Sequence, residues 1–292
     1  MLHEFLVILS EVTLSLYPTL IKVVDASVVL QTGVRMFVYA ILAFVCGAAT
    51  QTPMTFAQFL TMESPLTGLL NLAHVGSSYV AFEALAGGNA MSLFYIYPFL
   101  NILGATTLLG ESFPMTSIPW VLLAFFGAVL VAQPSPSNWS MLGVAAALLA
   151  AATETGIYLW FKWRPNAKEN DTTEPWTKMF QMYGSSGLIY VALAVGMLLL
   201  NVVKPGLFMA NGTSFASMIL FNSIIGFTGY ALRFYLIPNV STIVFSALSF
   251  FGVLSAYLFG WLISNEAPTL IQGFGAAAII IANTVLLRKE IA

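Results

Sequence analysis

The sequence predicts an all-α membrane protein with ten transmembrane helices, arranged as two inverted five-helix repeats. Three observations carry this. Hydrophobic residues make up 59% of the 292 and charged residues only 8%, where a soluble domain is about a quarter charged; mean hydropathy is +0.89. The apolar residues gather into runs of about 20, the length that crosses roughly 30 Å of hydrocarbon. Two of those runs share an outline: YIYPFLNILGATTLLGE at 95–111 and FGVLSAYLFGWLISNE at 251–266 are both oily and both close on a glutamate. No globular core has room for this much apolar surface, because a globule keeps a large polar shell.

The runs are 2–22, 27–48, 64–86, 89–110, 114–133, 139–161, 179–202, 213–235, 240–263 and 268–287. The first holds Glu11 in mid-span and the second holds Arg35 and the single Cys46, which reads as a buried thiol. The third carries Asn71, His74 and Glu83. The fourth has Pro98 in its interior, and the fifth is the glycine-bearing WVLLAFFGAVLVA. Glu154 sits in the middle of the sixth and Arg233 toward the end of the eighth. Gly252, Ala256 and Gly260 give the ninth a stripe of small residues that lets a neighbour approach closely. Most connections are turns, so sequence neighbours are antiparallel neighbours in space. Only KWRPNAKENDTTEPWTK at 162–178 is long and charged, and it reads as a solvated loop. The N-terminal MLHEFLVILSEV lacks a basic leading region and is interrupted by Glu4 and Glu11, so it does not read as a signal peptide.

Orientation follows from lysine and arginine, which favour the cytosolic side. Ten spans put both termini on one face. That face gains Lys162, Arg164, Lys168, Lys178, Arg288 and Lys289, against Lys22 and Lys204 on the other. Cytosolic N and C termini are expected, in a plasma membrane or an endomembrane.

The halves, 1–134 and 135–292, superimpose by pattern. Glu111 lies over Glu266, each followed by a proline break and a glycine-bearing span. YVAFEALAGGNA at 79–90 lies over YALRFYLIPNVS at 230–241, which sets Glu83 against Arg233. Five is odd, so two five-span halves enter the bilayer from opposite sides. Inverted repeats of this kind place a substrate site near the midplane, between the halves.

The chain resembles the drug/metabolite transporter superfamily, in its EamA-like branch. LYPTLIK is similar to that family's opening helix, Arg35 in LQTGVRMFVYAIL to an arginine of its second helix, and YIYPFLNILGATTLLGE to its fourth. ISNEAPTLIQGFGAAAIIIANTVLL is similar to its ninth-to-tenth junction. Val253 and Asn265 depart from the pattern, standing where proline and glycine are expected. The resemblance implies ten helices around a central cavity.

Ionisable groups at membrane depth cost about 2.5–3.5 kcal/mol on insertion scales, and they face a cavity or a partner. The candidate substrate- or ion-binding residues are therefore Glu11, Glu154, Arg35, Asn71, His74, Tyr95, Tyr97, Glu83 and Arg233. Glu11 and Glu154 read either as proton- or cation-binding carboxylates or as glutamates hydrogen-bonded to a neighbouring helix. Glu83 and Arg233 read as a bracing pair across the pseudo-twofold, and Arg35 as a helix-end anchor whose long side chain reaches the interface. His74, sharing a helix face with Asn71, is a neutral core histidine or a pH sensor. Tyr95 and Tyr97 divide between cavity and interface, and Trp160 leans to the interface. Glu111 and Glu266 read as caps on the helices that follow them.

The expected function is secondary active transport of a small polar or zwitterionic, amino-acid-like metabolite by alternating access, with proton coupling through Glu11 or Glu154 as an option. Alternatives are a nucleotide-sugar or sugar-phosphate antiporter, an organic-cation or drug exporter, and a non-transporting receptor or channel. No enzyme signature is present: no phosphate-binding glycine loop, no nucleophile elbow, and only two histidines, at 3 and 74, for a metal site. No cofactor and no metal are expected. A net charge of −2 points to no nucleic-acid partner. The expected partners are the bilayer and a small-molecule substrate, with a homodimer left open.

Overall fold

The computed structural model describes residues 2–17, 24–52, 63–85, 87–133, 140–163, 174–264 and 269–291, together with Ile21, Thr55 and Thr61. Thirteen α-helices are described: α1 (Leu2–Leu14), α2 (Val28–Ala49), α3 (Glu63–Ala84), α4 (Gly87–Phe94), α5 (Tyr97–Leu108), α6 (Ile118–Ala132), α7 (Met141–Lys162), α8 (Glu174–Leu199), α9 (Gly212–Phe221), α10 (Phe227–Leu236), α11 (Thr242–Ser249), α12 (Phe251–Ser264) and α13 (Leu270–Ile291). No strand occurs among the described residues. Several helices start where a side chain can accept a free backbone N–H. Ser27 Oγ accepts from Leu30 N at 3.1 Å, Asn211 Oδ1 from Ser214 N at 2.7 Å and Ser140 Oγ from Gly143 N at 3.3 Å.

Among the described residues, eight stretches are long and apolar enough to cross a bilayer: α2, α4 with α5, α6, α7, α8, α9 with α10, α11 with α12, and α13. The first and third runs expected from sequence coincide with α1 and α3, which fall short by that measure. The described α1 has 13 residues, and α3, with 22, is diluted by Asn71, His74, Ser77 and Ser78. Polarity is inverted relative to a soluble protein. Ile41, Leu103, Leu142, Leu188, Leu220 and Ile281 are exposed, while Glu11, Arg35, His74, Asn101, Glu154 and Arg233 are buried. Several long apolar helices with oily outer faces and polar interiors fit an integral membrane protein.

The strongest packing sets α13 along α6, α7 along α3, and α8 along both α2 and α3. α1 lies against α10, α11 and α12; α4 and α5 lie against α7; α5 also meets α11. Missing side chains allow the closest approaches. A Cβ at Gly127 of α6 would stand 2.7 Å from the carbonyl oxygen of Gly275 in α13, and one at Gly275 would stand 2.6 Å from that of Gly127.

Some expectations are corrected. The span holding Pro98 is two helices: Pro98 sits in the first turn of α5, where its fixed φ is tolerated, and Tyr95 and Ile96 form the break. Lys162 ends α7, and α8 starts at Glu174, so the charged stretch 162–178 is helical at both ends. Glu111 does not cap α6; its carboxylate pairs with Lys162 Nζ at 3.3 Å, and α6 opens at Ile118, with Pro119 in its first turn and no side-chain cap. Lys22, Arg164, Lys168 and Glu266 lie outside the described residues.

Candidate functional site

A cavity of about 60 Å³ lies between α1, α2, α3, the α4–α5 break, α7 and α10. That volume admits water. Every helix around it contributes a polar or aromatic side chain to its wall.

Arg233 of α10 organises one side. Its Nε donates to Glu154 Oε1 at 2.9 Å, and Nη2 lies 2.6 Å from the same oxygen. Its Nη1 donates to Glu11 Oε1. Ser249 of α11 donates to that Glu11 oxygen at 3.3 Å. All three charged groups are buried. A guanidinium with two carboxylates satisfies its fork and holds α1, α7 and α10 together by charge-assisted hydrogen bonds. Tyr97 and Phe245 turn ring faces toward the same guanidinium, each at 5.2 Å.

His74 of α3 faces the free oxygen of Glu154: Nε2 lies 3.2 Å from Oε2. The other ring nitrogen, Nδ1, is 3.2 Å from the carbonyl oxygen of Ala150. Both neighbours of the imidazole are therefore acceptors. A neutral ring carries one N–H, so satisfying both requires one more proton, on the ring or on Glu154 Oε2.

Arg35 of α2 lies across the cavity in a box of aromatic rings. Its Cζ is 4.3 Å from the centre of Tyr230, 4.9 Å from Tyr17, 5.3 Å from Tyr39 and 5.9 Å from Tyr79. The Tyr17 and Tyr39 hydroxyls hydrogen-bond each other, and Tyr17 donates to Asn222 Oδ1 at 2.9 Å. Asn222 opens a π-helical turn, Asn222–Gly226, between α9 and α10. A turn of this kind often marks a functional place in a helix. At Gly226 a Cβ would collide with the Tyr17 and Tyr39 hydroxyls, so only glycine leaves them room.

The predicted residues thus separate. Glu11, Glu154, Arg35, His74, Tyr95, Tyr97 and Arg233 all line the cavity. Asn71 does not: its Nδ2 donates to Ser186 Oγ of α8 at 2.9 Å. Glu83 does not pair with Arg233; it is exposed at the end of α3, beside a cleft that also holds Asp25, Gln31 and Asn211. Arg35 is no interfacial anchor, being only 2% exposed. It is the eighth residue of α2, about 10 Å in along the axis. Trp160 lies 5.3 Å from Lys178 Nζ, away from the cavity. Sequence reasoning missed the tyrosine box. The available signal was the position of Tyr17, Tyr39, Tyr79 and Tyr230 inside apolar spans, away from the ends where tyrosines form interfacial belts.

No family model and no curated protein matches the chain. Among solved structures 28 chains match. One is a crystal structure of 15% sequence identity with a TM-score of 0.70, covering 97% of this chain and 95% of that one. At that identity the likeness shows a shared fold over essentially the whole length and nothing about activity.

Proposed function

We propose that the chain is a secondary transporter of the drug/metabolite class, EamA-like, carrying a small zwitterionic, amino-acid-like metabolite by alternating access. In this reading α1 and α3 join the eight long stretches to give ten spans. Residues 1–134 and 135–292 are then inverted five-span repeats, with both termini cytosolic.

The observation that carries the proposal is the cavity. Two carboxylates, two guanidiniums and an imidazole converge there from α1, α2, α3, α7 and α10. Buried charge at that depth is expensive and marks a substrate or ion path. Both signs are present, as a zwitterion needs. One guanidinium is consumed by Glu11 and Glu154, which leaves too few cations for a nucleotide sugar or sugar phosphate.

Helix packing supports the repeat. Moving each span five places along the chain turns the α3–α7 contact into α10–α1, and the contacts of α4 and α5 with α7 into those of α11 and α12 with α1. The pairs α2–α8 and α6–α13 exchange with themselves, and Gly127 and Gly275 meet reciprocally, as residues across a two-fold axis do. Proton coupling is assigned to Glu154 with His74, where one extra proton has a place to sit.

The test is uptake by the purified chain in proteoliposomes. A transporter gives saturable, counterflow-stimulated uptake of an amino acid. Flux that rises linearly with concentration, without counterflow, indicates a channel and overturns the reading, as does the absence of flux.

A further inference from the structure

We propose that Arg35 is the docking point for a carboxylate group of the transported solute; this rests on the transport reading above. The two arginines of the cavity make the comparison that carries it. Arg233 presents the edge formed by Nε and Nη2 to Glu154, both atoms within 2.9 Å of Oε1. Arg35 carries the same edge, and both of its atoms, Nε and Nη2, are buried without a hydrogen-bond partner. No carboxylate stands in ion-pair range of Arg35 among the described residues; Glu11 and Glu154 are turned to Arg233.

A buried guanidinium left in that state is costly, since removing a cation from water costs several kcal/mol. The four ring faces around it return only part, about 0.5–2 kcal/mol for a cation–π contact. The hydroxyls of Tyr79, Tyr183 and Tyr230 interact with the guanidinium, but none is placed to accept from Nε or Nη2. Nε–H and Nη2–H point the same way in one plane, a spacing that fits the two oxygens of a carboxylate. Arg35 lines the cavity, and its Nε and Nη2 are covered there by protein, so the edge meets a solute when the surrounding side chains move aside. Tyr79 and Tyr230 flank it on the same wall. The box therefore accepts a flat, singly charged group against aromatic surfaces. A carboxylate seated there neutralises Arg35, and Glu154, which lines the same cavity, offers an amine its counter-charge.

The experiment uses the full chain purified in detergent and thermal unfolding, because a ligand that binds the folded state raises its melting temperature. The probes are small carboxylic acids, the proteinogenic amino acids among them, each beside its primary amide, with inorganic phosphate as a further probe. The expected result is that at least one acid stabilises the protein and its amide binds at least about tenfold more weakly. In R35K, which keeps the charge but loses the fork, that acid binds about tenfold more weakly or worse, and in R35Q its effect disappears. Stabilisation by no acid overturns the proposal, as does equal stabilisation by acid and amide. So does stabilisation by phosphate in place of carboxylates, or unchanged binding in R35K. The comparison of acid with amide on the unaltered chain decides the matter even if an Arg35 variant fails to fold. Arg35-dependent acid binding without saturable uptake leaves the subsite standing and removes transport. Saturable uptake of a solute without a carboxylate, unaffected by R35K, removes the subsite and leaves transport.

Discussion

Arg233 grips Glu154 by one oxygen only, with Nε at 2.9 Å and Nη2 at 2.6 Å from Oε1, and leaves Oε2 beside His74. Two jobs are thereby divided between the two oxygens of one carboxylate. Oε1 belongs to a lock between α7, α10 and, through Glu11, α1. Oε2 has no hydrogen-bond partner and is the oxygen to which the proposed proton coupling is assigned. Removing Arg233 leaves two buried carboxylates without their paired cation. Breaking a buried pair in this way costs about 3–5 kcal/mol. Arg233→Ala is therefore expected to unfold far earlier than the unaltered chain in a detergent melt. Arg233→Lys keeps the charge but cannot reach both carboxylates with a fork, and should fall between the two. A melt of Arg233→Ala indistinguishable from that of the native chain would show the lock to be absent.

The proposed proton coupling through Glu154 and His74 predicts a pH signature. His74 faces Glu154 from α7 and an acceptor carbonyl at Ala150, with Arg233 and Arg35 as the nearby permanent charges. Histidine is the side chain whose charge ordinarily changes between about pH 5 and 8. His74→Gln keeps a donor for Ala150 but carries no titrating proton, so uptake by this variant should lose its dependence on pH across that range. Glu154→Gln should do the same. Glu11→Gln, whose carboxylate is held by Arg233 and Ser249, should keep the slope while lowering stability. Parallel uptake curves for the native chain and His74→Gln would remove the proton from the mechanism.

The membrane class is legible because it depends on sums over many residues, and eight of the ten runs coincide with described stretches long and apolar enough to span, three of them broken into two helices. Which charges meet was not legible. Glu83 was set against Arg233 by sliding one half of the sequence over the other, yet Arg233 chose Glu11 and Glu154, which come from different spans. Helix rotation decides such pairings, and a degraded repeat fixes rotation to no better than a residue or two, while one residue turns a side chain by about 100°. Arg35 reads as an anchor because it lies near the start of its run and a long basic side chain can reach the interface; the run and α2 agree, but the side chain turns inward onto the rings of Tyr230 and Tyr17. Glu11, Glu154 and His74 were legible from their depth alone, because a mid-span ionisable group has few places to go.

The tyrosine contacts give a test of packing that does not depend on function. A Cβ on Gly252 would collide with the Tyr95 hydroxyl and stand 3.1 Å from Glu11 Oε2. Overpacking of this kind costs about 1–3 kcal/mol, so Gly252→Ala should lower the melting temperature. Tyr95→Phe removes the obstructing oxygen. In the Tyr95→Phe background the same glycine substitution should cost distinctly less, and an undiminished cost would mean that Tyr95 points elsewhere.

The contact between α6 and α13 tests the two-fold relation itself. Gly127 and Gly275 each leave room for the other's carbonyl oxygen, at 2.7 and 2.6 Å from the position a Cβ would take. Backbones this close allow no methyl group on either side, so Gly127→Ala and Gly275→Ala should each destabilise by about 1–3 kcal/mol. Because both report one shared gap, the first substitution already forces the helices apart and the second finds space waiting. The double variant should therefore lose less than the sum of the two, whereas residues without a common partner add to within about 0.3–0.5 kcal/mol. Equal single effects with sub-additive coupling are what a contact lying on the axis between two equivalent halves requires. Strict additivity, or one tolerated and one severe substitution, would mean that the helices following the two repeated segments do not stand in equivalent places.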